Sequence, residues 1–160
     1  MQELLNELDR LSKGRITSDA MAYVVLAQVA RLSPAYKEKV GCVICDFSTD
    51  AILSVGFNYN PYFRPTEFCK HCKEPATSDG PSCACGDSAL ATHPDVVHAE
   101  IMAIGRLKKY TDDKIAYVTK VPCKQCAEQL RLHGVIKIVV LNISGLKCNG
   151  ESHGRVSGTI

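Results

Sequence analysis

The spacing of apolar and polar positions predicts an alternation of helices and strands. Helical spacing over residues 18–33, after a polar cap, predicts a first helix. The same spacing predicts a second helix from about Asp95 to Lys109 and a third that Pro122 opens and Gly134 ends. Short apolar runs predict four strands, at 39–45, 51–57, 114–119 and 135–142.

The order of these elements predicts an α/β fold. Strands that alternate with helices favour a partly parallel sheet with helices on both faces. The expected architecture is therefore a three-layer α-β-α fold with a mixed central sheet. A chain of 160 residues is long enough for one domain with a real core, so we expect a single domain over residues 1–160.

Two segments depart from this regular pattern. Residues 58–95 are rich in Pro, Cys, Gly, Ser and Asp, and a structureless loop of that length is uncommon in a compact domain unless it is functional or cross-linked. The polar tail after residue 142 is expected to hold no last strand, although one more helix can start near Glu151.

Composition narrows the function classes. The formal net charge of +2 is too small to argue for nucleic-acid binding by itself. No apolar run reaches the roughly 18–20 residues of a membrane span, and the acidic, amphipathic start does not resemble a secretory signal. The chain has nine cysteines, an odd number, which favours metal binding or buried thiols over a disulfide scaffold.

Two short motifs carry candidate chemistry. Cys123 and Cys126 lie three residues apart at the start of a predicted helix, where free N–H groups favour the thiolate that binds metal. Alone, this pair is equally typical of a redox pair or of core residues. His98 and Glu100 lie at the start of another helix, at the same expected edge of the sheet. One nitrogen and two sulfurs leave a tetrahedral zinc ion one open position, the catalytic pattern, and Glu100 is placed to carry protons.

Together, "HAE" and "PCKQC" resemble the H-x-E…P-C-x-x-C signature of the zinc-dependent cytidine deaminase superfamily. The resemblance extends over roughly residues 18–142. It implies the fold of that superfamily, a catalytic zinc ion held by His98, Cys123 and Cys126, and Glu100 as the proton carrier.

Further motifs resemble the deoxycytidylate deaminases, especially phage ones. The segment "VGFNYNP" is similar to their G-Y-N-G-x-P segment, with Tyr59 in place of the second Gly, and the long insertion is typical of them. The resemblance implies hydrolysis of dCMP to dUMP and ammonia, with substrate contacts at Asn58, Thr119 and Val40. Candidate cations for the phosphate are Arg64, Arg106, Lys108 and Lys109.

The insertion at about 58–95 holds a second cysteine group. Four thiols in one loop are typical of a closed structural zinc site, which would order a loop with few apolar residues. The predicted ligands are Cys69, Cys72, Cys83 and Cys85, with His71 and His93 as alternates. We therefore expect two zinc ions per chain. The remaining cysteines, Cys42, Cys45 and Cys148, are expected to fill the core or to lie free.

Two other functions stay open at this point. A deaminase acting on a base in RNA or single-stranded DNA needs a basic groove and stacking aromatic residues, and this chain has a nearly balanced charge and no Trp. A non-catalytic zinc-binding module has no use for Glu100. By resemblance we expect a homo-oligomer such as a hexamer, dCTP and dTTP as effectors, and a cytoplasmic location, that of the host if the protein is phage-encoded.

Overall fold

The computed structural model describes residues 18–62, 65–77, 80–81, 83–86, 89–108, 113–143 and 156–159. Their three helices are α1 (Ser18–Arg31), α2 (Ala99–Gly105) and α3 (Lys124–Leu132). Their strands are β1 (Gly41–Asp46), β2 (Ile52–Phe57), β3 (Glu67–Cys69), β4 (Ala76–Thr77), β5 (Gly80–Pro81), β6 (Leu90–Thr92), β7 (Lys114–Val118), β8 (Val135–Leu141) and β9 (Val156–Thr159).

Five strands form the central sheet, in the order β2-β1-β7-β8-β9. Strand β1 is antiparallel to both β2 and β7, whereas β7 and β8 are parallel. Parallel neighbours need a crossover connection, and α3 supplies it between β7 and β8. The predicted mixed sheet is confirmed, with β9 antiparallel at its far edge.

Alternate side chains of the sheet enter two separate cores. On one face, Cys42, Ile44 and Val118 pack with residues of α2 and α3. On the other face, Val43 and Tyr117 pack with α1. Because successive side chains of a strand point to opposite faces, β1, β7 and β8 each contribute to both cores. The three-layer α-β-α prediction is therefore confirmed.

The insertion is folded rather than irregular. Strands β3 and β6 form one two-stranded sheet, and β4 and β5 form another. Cys69, Ala76, Ala89 and Leu90 form a small core beneath them, with Tyr36 packed against it. The sequence pattern missed these strands because each has only two or three residues.

Several predicted boundaries are wrong. Helix α2 begins at Ala99 instead of Asp95, because Val97 is held extended in a bridge with Tyr59. Helix α3 begins at Lys124, and Pro122 precedes its N-cap instead of opening its first turn. The tail, predicted to lack a last strand, supplies β9. The helix suggested near Glu151 and the position of Cys148 lie outside the described residues.

A hydrogen bond and apolar packing hold helix α1 against the sheet. Leu26 is fully buried in the core beneath it. The hydroxyl of Tyr117 donates a hydrogen bond to Asp19 Oδ1 at 2.6 Å. No helix among the described residues is long and apolar enough to cross a membrane.

Candidate active site

The starts of α2 and α3 bring His98, Cys123 and Cys126 together. His98 Nδ1 lies 3.3 Å from Cys126 Sγ and 3.9 Å from Cys123 Sγ. All three candidate ligand atoms lie within 4.8 Å of one another. The structure thus brings together one nitrogen and two sulfurs, as the two sequence motifs predict.

Two of these residues stand at the N-cap positions of their helices. His98 is the N-cap of α2, and its carbonyl oxygen accepts the N–H of Met102 at 3.0 Å. Cys123 is the N-cap of α3, and its Sγ accepts the N–H of Cys126 at 3.4 Å. An N-cap side chain turns back over the first turn of its helix. The Cys123 side chain caps its helix in this way, whereas the His98 side chain makes no capping hydrogen bond.

The close approach of α2 to the sheet depends on Gly56. A Cβ atom at this position would lie 2.2 Å from the carbonyl oxygen of Ala99 and 2.5 Å from the backbone nitrogen of Ala103. Only glycine fits there, because real Cβ atoms do not approach within 3.0 Å. Gly56 therefore determines how closely α2, with His98 at its N-cap and Glu100 in its first turn, packs against β2.

The Glu100 carboxyl is buried beside the three candidate ligands. Its residue is 4% exposed, and burial raises the pKa of this carboxyl, although His98 and Cys126 act in the opposite direction. Burial, followed by the charge of Glu100, also raises the pKa of the Cys126 thiol. A carboxyl whose pKa is raised above its ordinary value is better suited to give back a proton that it has taken.

A cavity of about 370 Å³ opens over this group. Glu100, His98 and Cys123 line it together with the apolar side chains of Val40 and Val121. It is also lined by charged and polar side chains from elsewhere in the chain, namely Lys37, Glu38, Asn58, Glu67, Thr92 and Lys120. A concave site with a few converging polar groups is typical of small-molecule binding.

Two of the three predicted substrate contacts line this cavity. Asn58 Oδ1 accepts the N–H of Val40 at 2.8 Å, and its Nδ2 donates to the carbonyl oxygen of Glu38 at 3.0 Å. Asn58 thus fixes the 38–40 segment and keeps one amide hydrogen for a ligand. Thr119 does not line the cavity; its Oγ1 accepts the N–H of Gly41 at 3.0 Å.

None of the predicted phosphate cations lines the cavity where the structure describes them. The guanidinium carbon Cζ of Arg106 lies 5.9 Å from the ring centroid of Phe57, and Lys108 is exposed. Arg64 and Lys109 lie outside the described residues. The cavity's lysines are instead Lys37 and Lys120, which no sequence motif marks.

The insertion contains the second predicted cysteine group. The sulfurs of Cys69, Cys72, Cys83 and Cys85 lie within 4.8 Å of one another. Hydrogen bonds to the Cys69 sulfur lower the pKa of this thiol to about 6, and the largest contribution comes from the backbone of Cys72. The side-chain hydrogen bond with Cys83 is the main cause that raises the pKa of Cys85 to about 12. Among the described residues, neither alternate, His71 or His93, belongs to this group, and His93 Nδ1 accepts the N–H of Asp95 at 3.2 Å. Cys42 and Cys45 are buried in the core, as expected.

Comparison with known proteins places the chain in a family. The chain is similar in structure to the dCMP deaminase of cyanophage S-TIM5 in apo form, with 21% identity, a TM-score of 0.52, and coverage of 76% of this chain and 79% of that chain. For the same phage enzyme in complex with dCMP and dUMP, the identity is 22%, the TM-score 0.55, and the coverage 75% and 77%. These similarities establish the fold. No curated protein matches the chain in sequence.

The family itself is established by a sequence model. The model of the cytidine and deoxycytidylate deaminase zinc-binding region matches residues 16–142, which is most of the chain and contains every group described above. The protein therefore belongs to the zinc-binding cytidine and deoxycytidylate deaminases.

Proposed function

We propose that the protein hydrolyses the amine of a free cytosine nucleotide, converting dCMP and water to dUMP and ammonia. The observation that carries this proposal is a single cavity in which Glu100 lies beside His98 and Cys123. The cavity is large enough for a nucleotide, and polar side chains line it. The dCMP and dUMP bound by the phage enzyme of the same fold support this choice of substrate.

The donor set fits a catalytic zinc ion. His98, Cys123 and Cys126 would hold it, because thiolate and imidazole are the ligands that zinc prefers. Among the described residues this group contains three donors, the number that catalytic zinc sites take from the protein. Zinc bound there supplies the Lewis acidity that generates a nucleophile from water near neutral pH.

Glu100 would move the protons of the reaction. Its carboxylate takes a proton from the attacking water while a carbon–oxygen bond forms at C4 of cytosine. The same carboxyl would give that proton to the ring nitrogen N3, then take the proton of the new C4 hydroxyl and pass it to the amine, so that the carbonyl of uracil forms, the carbon–nitrogen bond breaks and ammonia leaves. Burial raises the pKa of this carboxyl, which favours the protonated form that it must adopt between the two transfers.

The two lysines of the cavity would bind the phosphate of the nucleotide. They are Lys37 and Lys120, and both are exposed, so their ammonium groups can reach an anion at the rim. Lys120 is paired with Glu38, and a bound phosphate would compete for that pair. Asn58 and Val40 would contact the nucleoside. Thr119 would support it from behind, through its hydrogen bond to Gly41.

We also propose a structural zinc ion in the insertion, held by Cys69, Cys72, Cys83 and Cys85. Four sulfurs within 4.8 Å of one another match the closed donor set of structural zinc sites. Metal analysis of protein purified without added zinc should find two zinc ions per chain, and one after Cys83→Ser. One ion in both proteins would remove the second site from the proposal.

The resemblance to deoxycytidylate deaminases extends the proposal beyond the single chain. We expect the protein to form a homo-oligomer such as a hexamer, to bind dCTP and dTTP as effectors, and to be located in the cytoplasm. Size-exclusion chromatography with light scattering tests the first expectation. Activity measured against increasing dCTP or dTTP tests the second. In the family's segment, Phe57 stands here in place of Tyr and Tyr59 in place of the second Gly.

The assigned proton carrier is tested by Glu100→Ala. This variant should retain the catalytic zinc ion but lose at least 100-fold in ammonia release from dCMP, the usual contribution of general acid–base catalysis being about 10²–10⁴-fold. The exposed Glu128 of α3 provides the matched control, and Glu128→Ala should keep full activity. Turnover that survives in Glu100→Ala would rule out the assigned role.

A further inference from the structure

Glu67 is a buried carboxylate in the wall of the active-site cavity, and the proposed chemistry gives it no role. The residue is 3% exposed and lines the same cavity as Glu100 and Cys123. Burial of a carboxylate is costly unless hydrogen bonds compensate it. A buried polar side chain that faces a substrate cavity is therefore a candidate for substrate recognition.

The hydrogen bonds of Glu67 leave half of its carboxylate available. Oε2 accepts the N–H of Tyr36 at 3.1 Å and the hydroxyl of Thr66. Within the described part of the chain, Oε1 has no hydrogen-bond donor and no ion pair includes Glu67. Because a carboxylate can accept about four hydrogen bonds, Glu67 can accept more from a ligand.

The insertion holds Glu67 in a fixed place. Glu67 pairs with Thr92 across β3 and β6, and both residues line the cavity. Cys69 lies two residues along the same strand, fully buried, and belongs to the four-cysteine group. Residues two apart in a strand share a face, so the cysteine group and Glu67 are carried by one short rigid element.

A carboxylate at Glu67 limits which group of the substrate this side chain can bind. A carboxylate repels the phosphate and attracts an N–H or O–H donor. The cytosine amine must lie at Glu100 and the metal ligands if it is to react. In dCMP, the remaining free hydroxyl is the sugar 3′-hydroxyl. We propose that Glu67 accepts a hydrogen bond from this hydroxyl, an inference that rests on the proposed function.

The test compares two substrates on two proteins. Wild type should lose about 10- to 100-fold in kcat/KM when dCMP is replaced by its 2′,3′-dideoxy analogue, the usual effect of a hydrogen bond to a charged group. Glu67→Met keeps the length of the side chain without the acceptor, and should treat the two substrates within about twofold of each other. The loss on dCMP should lie in KM, because the contact exists in both ground and transition states.

Controls separate recognition from a structural role. Glu74 is exposed in the same insertion, and Glu74→Met should discriminate between the two substrates as wild type does. If Glu67→Met does not fold, Glu67→Gln serves instead and should show a weakened but measurable discrimination. Equal discrimination in wild type and in the Glu67 variant, or none in wild type, would overturn the inference alone. Absence of ammonia release from dCMP by wild type would overturn the proposed function as well.

Discussion

Replacing Gly56 by alanine should move α2 away from the sheet and disable the active site. The added Cβ would lie 2.2 Å from the carbonyl oxygen of Ala99 and 2.5 Å from the nitrogen of Ala103. Both are backbone atoms, so no side-chain rotation relieves the contact. Real Cβ atoms keep at least 3.0 Å from other heavy atoms, and the added Cβ would lie only 2.2 Å from the Ala99 oxygen. Helix α2 must therefore move away from β2 by at least about 0.8 Å.

A displacement of this size is large for a catalytic group. Ala99 lies between His98 and Glu100, so both move with it, whereas α3 holds Cys123 and Cys126 in place. Misplacement by about 1 Å can reduce a rate by about 10²-fold. Overpacking of a core site costs about 1–3 kcal/mol of folding stability. We expect kcat to fall about 100-fold, and the affinity for zinc to fall with it.

The matched control lies in the same helix. A Cβ at Gly105 meets no atom within 4 Å, so Gly105→Ala should retain wild-type activity and add a few tenths of a kcal/mol to stability. Ammonia release, zinc content and the thermal unfolding midpoint are measured on both variants. Wild-type kcat and zinc content in a folded Gly56→Ala protein would refute this reasoning.

Three further predictions address other parts of the molecule. Cys69→Ser should raise KM for dCMP more than it lowers kcat, because β3 forms the cavity wall but not the reacting groups; an unchanged KM in steady-state kinetics would contradict this. Tyr117→Phe removes the hydrogen bond to Asp19 and should cost about 1 kcal/mol in urea unfolding with no change in kcat; wild-type stability would show that this contact is dispensable. The hydrogen bond from the Ser48 hydroxyl is the first cause of the lowered pKa of Asp46. The stability that this carboxylate adds is present above its unfolded pKa of about 3.9 and is lost as the pH falls, so Asp46→Asn should flatten the decline of urea midpoints in acid; parallel declines would argue against it.

The parts of the site that were predictable from sequence are encoded locally. His98 with Glu100, and Cys123 with Cys126, each lie within one turn of a helix start, so a short motif determines their relative positions. The alternation of buried side chains in β1 and β7 likewise indicates two covered faces. Local patterns of this kind suffice for the layers and for the metal ligands.

The cavity wall was not predictable in the same way. Lys37, Glu67 and Lys120 come from distant parts of the chain and meet only through tertiary folding. No spacing rule marks them, and the phosphate cations chosen from sequence, such as Arg106, lie elsewhere. The early start predicted for α2 fails for a related reason, since the bridge between Tyr59 and Val97 outweighs local helical spacing.

Ammonia release from dCMP by the zinc-loaded protein tests the central claim most directly. The account predicts that dUMP and ammonia form in equal amounts from dCMP. The same assay is run on CMP, cytidine, deoxycytidine and dCTP. Absence of ammonia release from dCMP would contradict the account, and release from one of the other four compounds alone would move the activity to that substrate.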